Sequence, residues 1–94
     1  MRQLVSTPAF ERAFRCVVRR NGVMQALIEE TLRRMEANLE DPRLRTHHLS
    51  GKLSGLFACS CGYDCRIVFA KERNAETGHQ VLLLINIGTH DDVY

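Results

Sequence analysis

The spacing of apolar residues along the chain is helical in the first half and strand-like in the second. Residues 2–6 predict a short first strand, and after them four apolar residues recur at the spacing of one helix face: Phe10, Phe14, Val17 and Val18. Thr7-Pro8 is typical of a helix start. The threonine side chain accepts a hydrogen bond from a free backbone N–H, and proline has no N–H that would be left without a partner in the first turn. Asn21-Gly22 is typical of a helix end.

A second helix is predicted over residues 23–39. Its expected buried face consists of six apolar residues: Met24, Leu27, Ile28, Leu32, Met35 and Leu39. On its exposed side we expect two ion pairs one turn apart, Glu29–Arg33 and Glu30–Arg34. Asp41-Pro42 ends the helix, because the residue before a proline avoids helical geometry.

The rest of the chain predicts strands. Residues 56–61 and 65–72 flank a tight turn at 62–64, and residues 80–87 form a nearly unbroken apolar run suited to a central strand. The predicted fold class is α+β, a single domain over residues 1–94. In it an antiparallel sheet packs against an N-terminal two-helix hairpin, in the order β-α-α-β-β-β.

Composition narrows the class of protein. The 94 residues are 45% hydrophobic, enough for one folded core. No apolar run approaches the roughly 18–20 residues of a membrane span, and the first residues lack the apolar stretch of a signal peptide. We therefore expect a cytoplasmic protein without a membrane partner. In that compartment the four cysteines are expected to be reduced thiols: Cys16, Cys59, Cys61 and Cys65.

Charge is unevenly distributed although the net charge is only +2. Residues 1–45 carry nine Arg and six acidic residues, a local +3, whereas residues 46–94 carry four basic and five acidic residues, a local −1. Arginine binds phosphate with two parallel hydrogen bonds, so an anionic partner is plausible. Arg12, Arg15 and Arg19 share one face of the first helix and form either a solvated surface or a contact for RNA.

Residues capable of chemistry gather at predicted strand ends and loops. The sequence has no phosphate-binding glycine loop, nucleophile elbow or dinucleotide motif. It has instead His47, His48, Asp64, Arg66, His90 and Tyr94. Free imidazole titrates near about pH 6.5, so one His can take the proton of an RNA 2′-hydroxyl while another protonates the leaving 5′-oxygen. An arginine can stabilise the charge that develops between them.

Three motifs in order carry a family resemblance. The stretch His47-His48-Leu49-Ser50-Gly51 resembles the H-x-L-x-G element of the RelE/ParE toxin superfamily, particularly its YafQ-like branch. The segment 63–69 is similar to that family's Y-x-x-R-[ILV]-[ILV]-[YF] strand, and the segment 88–94 to its closing G-x-H-x-x-x-[YF]. The resemblance implies a metal-independent endoribonuclease that cuts mRNA, usually on the ribosome, without a cofactor. It also implies a cognate antitoxin as partner.

The resemblance also implies roles by position. His47 matches the candidate base, Asp64 an acidic residue that assists proton transfer, and Arg66 a phosphate-binding arginine. His90 matches the candidate general acid, and Tyr94 an aromatic residue that stacks on a base or helps activate the hydroxyl. Lys52 and the arginines of the first helix join them as expected RNA- or ribosome-binding residues.

Some features leave alternatives open. Ser60 stands where YafQ-like enzymes have a further His, and Cys65 replaces a bulky aromatic residue, so the identity of the base is open between His47 and another group. The grouping of Cys59, Cys61 and Cys65 lacks an obvious fourth zinc ligand, so no metal site is expected. A ParE-like gyrase inhibitor without nuclease activity and a catalytically degenerate family member are the competing functions.

Overall fold

The structure is a computed structural model that describes residues 2–94. Its strands and helices in chain order are β1 (Gln3–Ser6), α1 (Pro8–Val18), α2 (Gly22–Ala37), β2 (His47–His48), β3 (Phe57–Ser60), β4 (Arg66–Arg73), β5 (Gln80–Gly88) and α3 (His90–Val93). Single turns of 3-10 helix span Pro42–Leu44 and Gly51–Leu53. The α+β class and the succession of strand, two helices and strands are confirmed. The short elements β2 and α3 were not predicted.

The five strands form one sheet in the order β1-β5-β4-β3-β2. The neighbours from β5 to β2 pair antiparallel, but β1 runs parallel to β5, with Gln3 beside Val81 and Ser6 beside Leu84. The prediction of a purely antiparallel sheet was therefore wrong at this edge. The helical hairpin and three other strands separate β1 from β5 along the chain, so β1 is not joined to its neighbour by a tight turn that would reverse its direction.

The helix boundaries confirm one sequence prediction and correct another. Thr7 caps α1 by accepting a hydrogen bond from the backbone N–H of Phe10 at 3.1 Å. Asn21-Gly22, however, does not end this helix. The helix ends at Val18, Arg20 takes the left-handed turn with φ of 55°, and Asn21 begins α2 by accepting from the Met24 N–H. Asparagine suits either end of a helix, and here its side chain serves the second one.

The second helix ends at Ala37, two residues before the predicted end at position 39. Ile28 and Met35 are fully buried as expected, but Leu27 is 44% exposed and Thr31 is buried in its place. Burial of Thr31 is tolerated because its hydroxyl donates to the Leu27 carbonyl at 2.8 Å.

One of the two predicted ion pairs on α2 forms. Glu30 lies 3.7 Å from Arg34, as predicted, and also 2.8 Å from Arg33. The predicted Glu29–Arg33 pair was wrong, because Arg33 turns to Glu30 and the Glu29 carboxylate accepts from Gln25. All of these contacts lie on the helix surface and contribute little to stability.

The core lies between the two long helices and one face of the sheet. Its largest fully buried side chains are Phe69, Ile28, Met35, Leu44, Ile67 and Leu82. A bulge at Ile85 shifts the register of β5 against β4, so that Val68 pairs with Asn86 and Phe69 with Leu84. No helix within residues 2–94 is long and apolar enough to cross a membrane.

The cysteines correct another expectation. Cys61 and Cys65 form a disulfide across the β3–β4 turn, where both are buried and the Cys61 N–H donates to the Cys65 carbonyl at 3.0 Å. Only Cys16, which is exposed, and Cys59, which is buried, are free thiols. The expectation of four reduced cysteines was based on compartment alone and did not consider that a tight turn brings positions 61 and 65 within bonding distance.

Candidate active site

The two-residue strand β2 presents its histidines to opposite faces of the sheet. His47 pairs with Ala58 and His48 with Phe57. Successive side chains of a strand point to opposite faces. The Phe57 ring lies on the helix side, where it stacks near Phe69, and the His48 ring is 4.5 Å from it. His47 therefore projects from the face that the helices leave open.

A backbone hydrogen bond fixes the His47 ring. Its Nδ1 lies 2.9 Å from the Arg45 carbonyl oxygen, which can only accept, so Nδ1 carries the hydrogen. In the neutral imidazole this leaves Nε2 as a proton acceptor. Arg45 reaches this position through a left-handed backbone with φ of 52°. The arrangement suits a general base.

His47 lines an open cleft of about 470 Å³ on the sheet edge. The 3-10 turn after β2 supplies Lys52 to its wall, and the last residue, Tyr94, closes it from the other side. The C-terminal segment thus meets β2, a segment far away in sequence. The cleft unites three residues singled out in the sequence, His47, Lys52 and Tyr94.

Tyr94 connects this cleft to His90. The two rings meet edge to face with centroids 4.5 Å apart. Burial raises the pKa of the Tyr94 phenol, an effect that the nearby Arg66 guanidinium partly offsets by favouring the charged form. The phenol is therefore protonated at neutral pH and can donate a hydrogen bond. His90 Nδ1 lies 3.5 Å from Asp91 Oδ1, so its Nε2 stays outside that contact.

The single-turn helix α3 is held by its own cap and by Asp64. Thr89 and Asp92 form a reciprocal capping box, with each side chain accepting from the other residue's N–H. Asp64 Oδ1 accepts from the His90 N–H at 3.4 Å, which ties the disulfide-closed turn to the start of α3. Asp64 thus contacts the backbone of the helix that carries His90 and Tyr94, and its connection to the candidate acid is positional.

Gly88 allows this close approach. A Cβ at position 88 would lie 2.8 Å from Asp92 Cβ, nearer than real carbon atoms come. Since Asp92 completes the capping box, the absence of a side chain at Gly88 sets where α3 folds back on β5.

Arg66 begins β4 between Ser60 and Gly88. Its guanidinium donates to the Cys65 carbonyl at 3.0 Å, and within residues 2–94 no carboxylate lies within ion-pair distance of it. The side chain is half-buried, so it offers a positioned positive charge near Tyr94. A cation in this setting suits an anionic ligand such as a phosphate.

The structure brings together some predicted residues and separates others. Of the five predicted catalytic residues, His47 and Tyr94 share the cleft, and His90 packs against Tyr94. Arg66 lies near enough to lower the pKa of Tyr94, and Asp64 touches His90 through the backbone. Arg12 and Arg15 of α1, and Arg19 directly after it, are exposed, and none lines the cleft. Within the described chain, no group of three or more His, Cys, Asp or Glu residues could hold a metal ion.

Sequence reasoning missed the disulfide and the positioning residues. Cys61 and Cys65 close the turn that carries Asp64, while Gly88, Thr89 and Asp92 place α3. The turn at 62–64 flanked by two cysteines, and Thr89 three residues before Asp92, were the patterns that could have indicated them.

Comparison with known proteins identifies the fold. No protein-family model matches the sequence, and no curated protein does. Solved structures do match. The YoeB/ParE toxin from Agrobacterium tumefaciens is 18% identical, with 94% of this chain and 98% of that chain covered and a TM-score of 0.74. The E. coli DinJ–YafQ complex matches at 12% identity over 100% of this chain and 99% of that chain, with a TM-score of 0.71.

A metal-bound toxin from Helicobacter pylori is similar over the full length of both chains, 100% of each, at 18% identity and a TM-score of 0.71. At such identities the likeness establishes the fold. The fold of this chain is that of the RelE/YafQ-type toxins, which confirms at the level of fold the resemblance drawn from its three motifs.

Proposed function

We propose that this protein is the toxin of a type II toxin–antitoxin system and that it cleaves mRNA without a metal ion. The observation that carries the proposal is the convergence of two distant histidines on Tyr94. His47 shares the cleft with Tyr94, and His90 packs against the ring of Tyr94. General acid–base cleavage of RNA needs two such groups near one phosphate.

In the proposed reaction, His47 Nε2 takes the proton of the 2′-hydroxyl. The 2′-oxygen attacks the adjacent phosphorus, and the bond from phosphorus to the 5′-oxygen breaks. A protonated His90 gives its proton to that leaving oxygen. The products are a 2′,3′-cyclic phosphate and a 5′-hydroxyl, and the proton gained by one imidazole balances the proton lost by the other.

The surrounding residues have supporting roles in this proposal. Arg66 and Lys52 contribute positive charge toward the non-bridging oxygens, which gain negative charge in the transition state. The Tyr94 phenol, protonated at neutral pH, donates a hydrogen bond or stacks on a base. Asp64 positions α3, and with it His90, through the backbone contact.

The proposed partners are an antitoxin protein and mRNA, the latter on the ribosome in the cytoplasm. Support for the antitoxin comes from the fold, since a structure with the same fold is the YafQ chain of a complex with DinJ. The exposed arginines Arg12, Arg15 and Arg19 are proposed to contact RNA or the ribosome away from the cleft.

The test is cleavage of a defined mRNA fragment by the purified protein in EDTA, with and without ribosomes. We expect cuts whose products carry 2′,3′-cyclic phosphate and 5′-hydroxyl ends, and no cut where the attacking nucleotide is 2′-deoxy. Arg33→Gln, on the exposed surface of α2 and outside the cleft, serves as the control variant with normal activity. Cleavage that needs added metal, or that proceeds at the 2′-deoxy site, contradicts the mechanism.

Expression in cells labelled with radioactive precursors separates this proposal from the competing functions. We expect protein synthesis to fall while DNA synthesis continues. Arrest of replication with intact translation would identify a gyrase inhibitor. Growth inhibition that survives both His47→Gln and His90→Gln would identify a non-catalytic role.

A further inference from the structure

A second cleft, of about 490 Å³, lies on the helix side of β2. Its walls come from the start of β1 and β5, the end of β4 and the connection between α2 and β2. His47 and His48 line both this cleft and the candidate active site, so the two-residue strand is the ridge between them. None of the roles proposed above uses the second cleft.

Positive charge predominates on its walls. Arg2, Arg45 and Lys71 line it, opposed by Glu40 and Asp41. Asp41 is already engaged, because Arg43 binds its carboxylate through two hydrogen bonds and lowers its pKa to about 2. Arg45 and Lys71 have no carboxylate within ion-pair distance among residues 2–94. The cleft thus holds cations that no acidic side chain neutralises.

An aromatic ring lies among these cations. Lys71 Nζ sits 4.2 Å from the centroid of the half-buried Phe57 ring, and the His48 ring is tilted against the same ring. Cations beside a planar aromatic surface are the recurring features of sites that bind single-stranded nucleic acid. An acidic protein segment would use the cations but has no particular need of the ring.

Arg45 is involved in both clefts. Its carbonyl orients the His47 ring from one side of the ridge, while its side chain lines the second cleft. An RNA strand bound at His47 that continues over β2 would therefore enter the cleft lined by Arg45 and Lys71. The two clefts therefore adjoin at β2, where they share His47 and His48.

We propose that the second cleft is a phosphate-binding subsite for the RNA segment that flanks the cleavage site, with Arg45 and Lys71 as its main cations. This inference rests on the proposed ribonuclease function and adds to it a binding surface outside the acid–base residues. It identifies the ligand as single-stranded RNA longer than the two nucleotides at the cleavage site.

The experiment measures binding of a single-stranded RNA of about 12 nucleotides, a length chosen within the usual range of such sites. All its sugars are 2′-O-methyl, so that it cannot be cut. The variant is Arg45→Gln/Lys71→Met, in which methionine keeps the packing on Phe57. The matched control, Arg20→Gln/Arg33→Gln, removes the same charge outside the cleft.

Loss of two phosphate contacts should reduce the slope of log K against log salt by about 1.4, since each contact on a single strand contributes about 0.7. The control should keep the wild-type slope, and a dinucleotide should bind the variant and the wild type equally. If the variant keeps the wild-type slope while the wild-type protein still cleaves RNA, this inference fails and the proposed function stands. That result would favour an acidic protein segment as the occupant of the cleft. If the wild type neither binds nor cleaves RNA, the proposed function and the inference both fail.

Discussion

The centre of the sheet and its β2 edge are built differently. At the centre, β4 and β5 are eight and nine residues long, and the helices cover one face of them. The second region, which we call the edge, combines β2 with α3, which packs on β5 and β4. There β2 has two residues and α3 has four, and the residues proposed for catalysis are mostly exposed. Burial therefore stabilises the fold in one region, while the candidate chemistry lies in the other.

The edge is held by a few individual contacts. The hydrogen bonds of His47 to Arg45, of His90 to Asp64 and within the Thr89–Asp92 cap each contribute about 0.5–1.5 kcal/mol by the usual measure. A buried large side chain at the centre contributes more. Substitutions in the two regions should therefore affect different quantities, stability at the centre and cleavage at the edge.

The largest expected effect is at the centre. Phe69→Ala should lower the free energy of unfolding by about 3–5 kcal/mol, because it leaves a cavity where a fully buried ring had packed. Urea unfolding followed by circular dichroism measures the change. Phe57→Ala, at a half-buried ring on the same face, should cost less. Equal losses at the two positions would show that the centre and the edge do not differ as described.

Arg66→Ala should reduce single-turnover RNA cleavage by about 100- to 1,000-fold, as is typical when a donor to a developing anion is removed. Its effect on unfolding should be no more than about 1.5 kcal/mol, the value of its hydrogen bond to the Cys65 carbonyl. Arg66→Lys, which retains the charge, should recover part of the rate. Full cleavage by the alanine variant would remove Arg66 from the proposed mechanism.

Gly88→Ala should destabilise the protein by about 1–3 kcal/mol, because the new Cβ would clash with Asp92. It should also slow cleavage, since α3 carries both His90 and Tyr94. Gly22→Ala is the matched control, as nothing lies within 4 Å of a Cβ at that position. Thermal unfolding and the cleavage assay together test this link. A stable Gly88→Ala protein with normal cleavage would show that the position of α3 is unimportant.

Near neutral pH, the smallest effect concerns the free thiols. Burial raises the pKa of Cys59 to about 12, so at pH 8 iodoacetamide should label Cys16 and leave Cys59 unmodified. In the folded protein the Cys59 thiol keeps its proton up to a pH of about 12, whereas in the unfolded chain it releases the proton near pH 9.0. The free energy of unfolding should therefore fall as the pH rises from 9.0 toward about 12. Mass spectrometry of the labelled protein shows which of the two cysteines has reacted with iodoacetamide. Labelling of Cys59 in the native state would mean that this part of the core is open.

The regular part of the fold was predictable because its pattern is repeated over many residues. The apolar run at 80–87 matches β5, and the helical spacing around Ile28 and Met35 matches α2. Thr7-Pro8 gave the start of α1 because both residues favour the same position. Asn21 was assigned to the wrong helix, since its side chain can cap the start of one helix as readily as its backbone can end another.

The edge was less predictable because its elements are too short to show a period. Two residues cannot display the alternation of a strand, and four cannot display a helical stripe, so β2 and α3 were missed. The parallel pairing of β1 depends on where the helical hairpin returns the chain, which local sequence does not encode. The residues of the candidate site were recognised at predicted strand ends and loops, and the family motifs implied their roles.

The central claim is that His47 and His90 act on one phosphate. The most direct measurement is the single-turnover cleavage rate, in EDTA, of His47→Gln, His90→Gln and the double variant. Each single substitution should lower the cleavage rate by about 100- to 10,000-fold. The double variant should cleave about as slowly as the slower of the two single variants, because the effects of residues that act as a unit are not additive. Wild-type cleavage by either single variant, or losses that multiply in the double variant, would contradict the account.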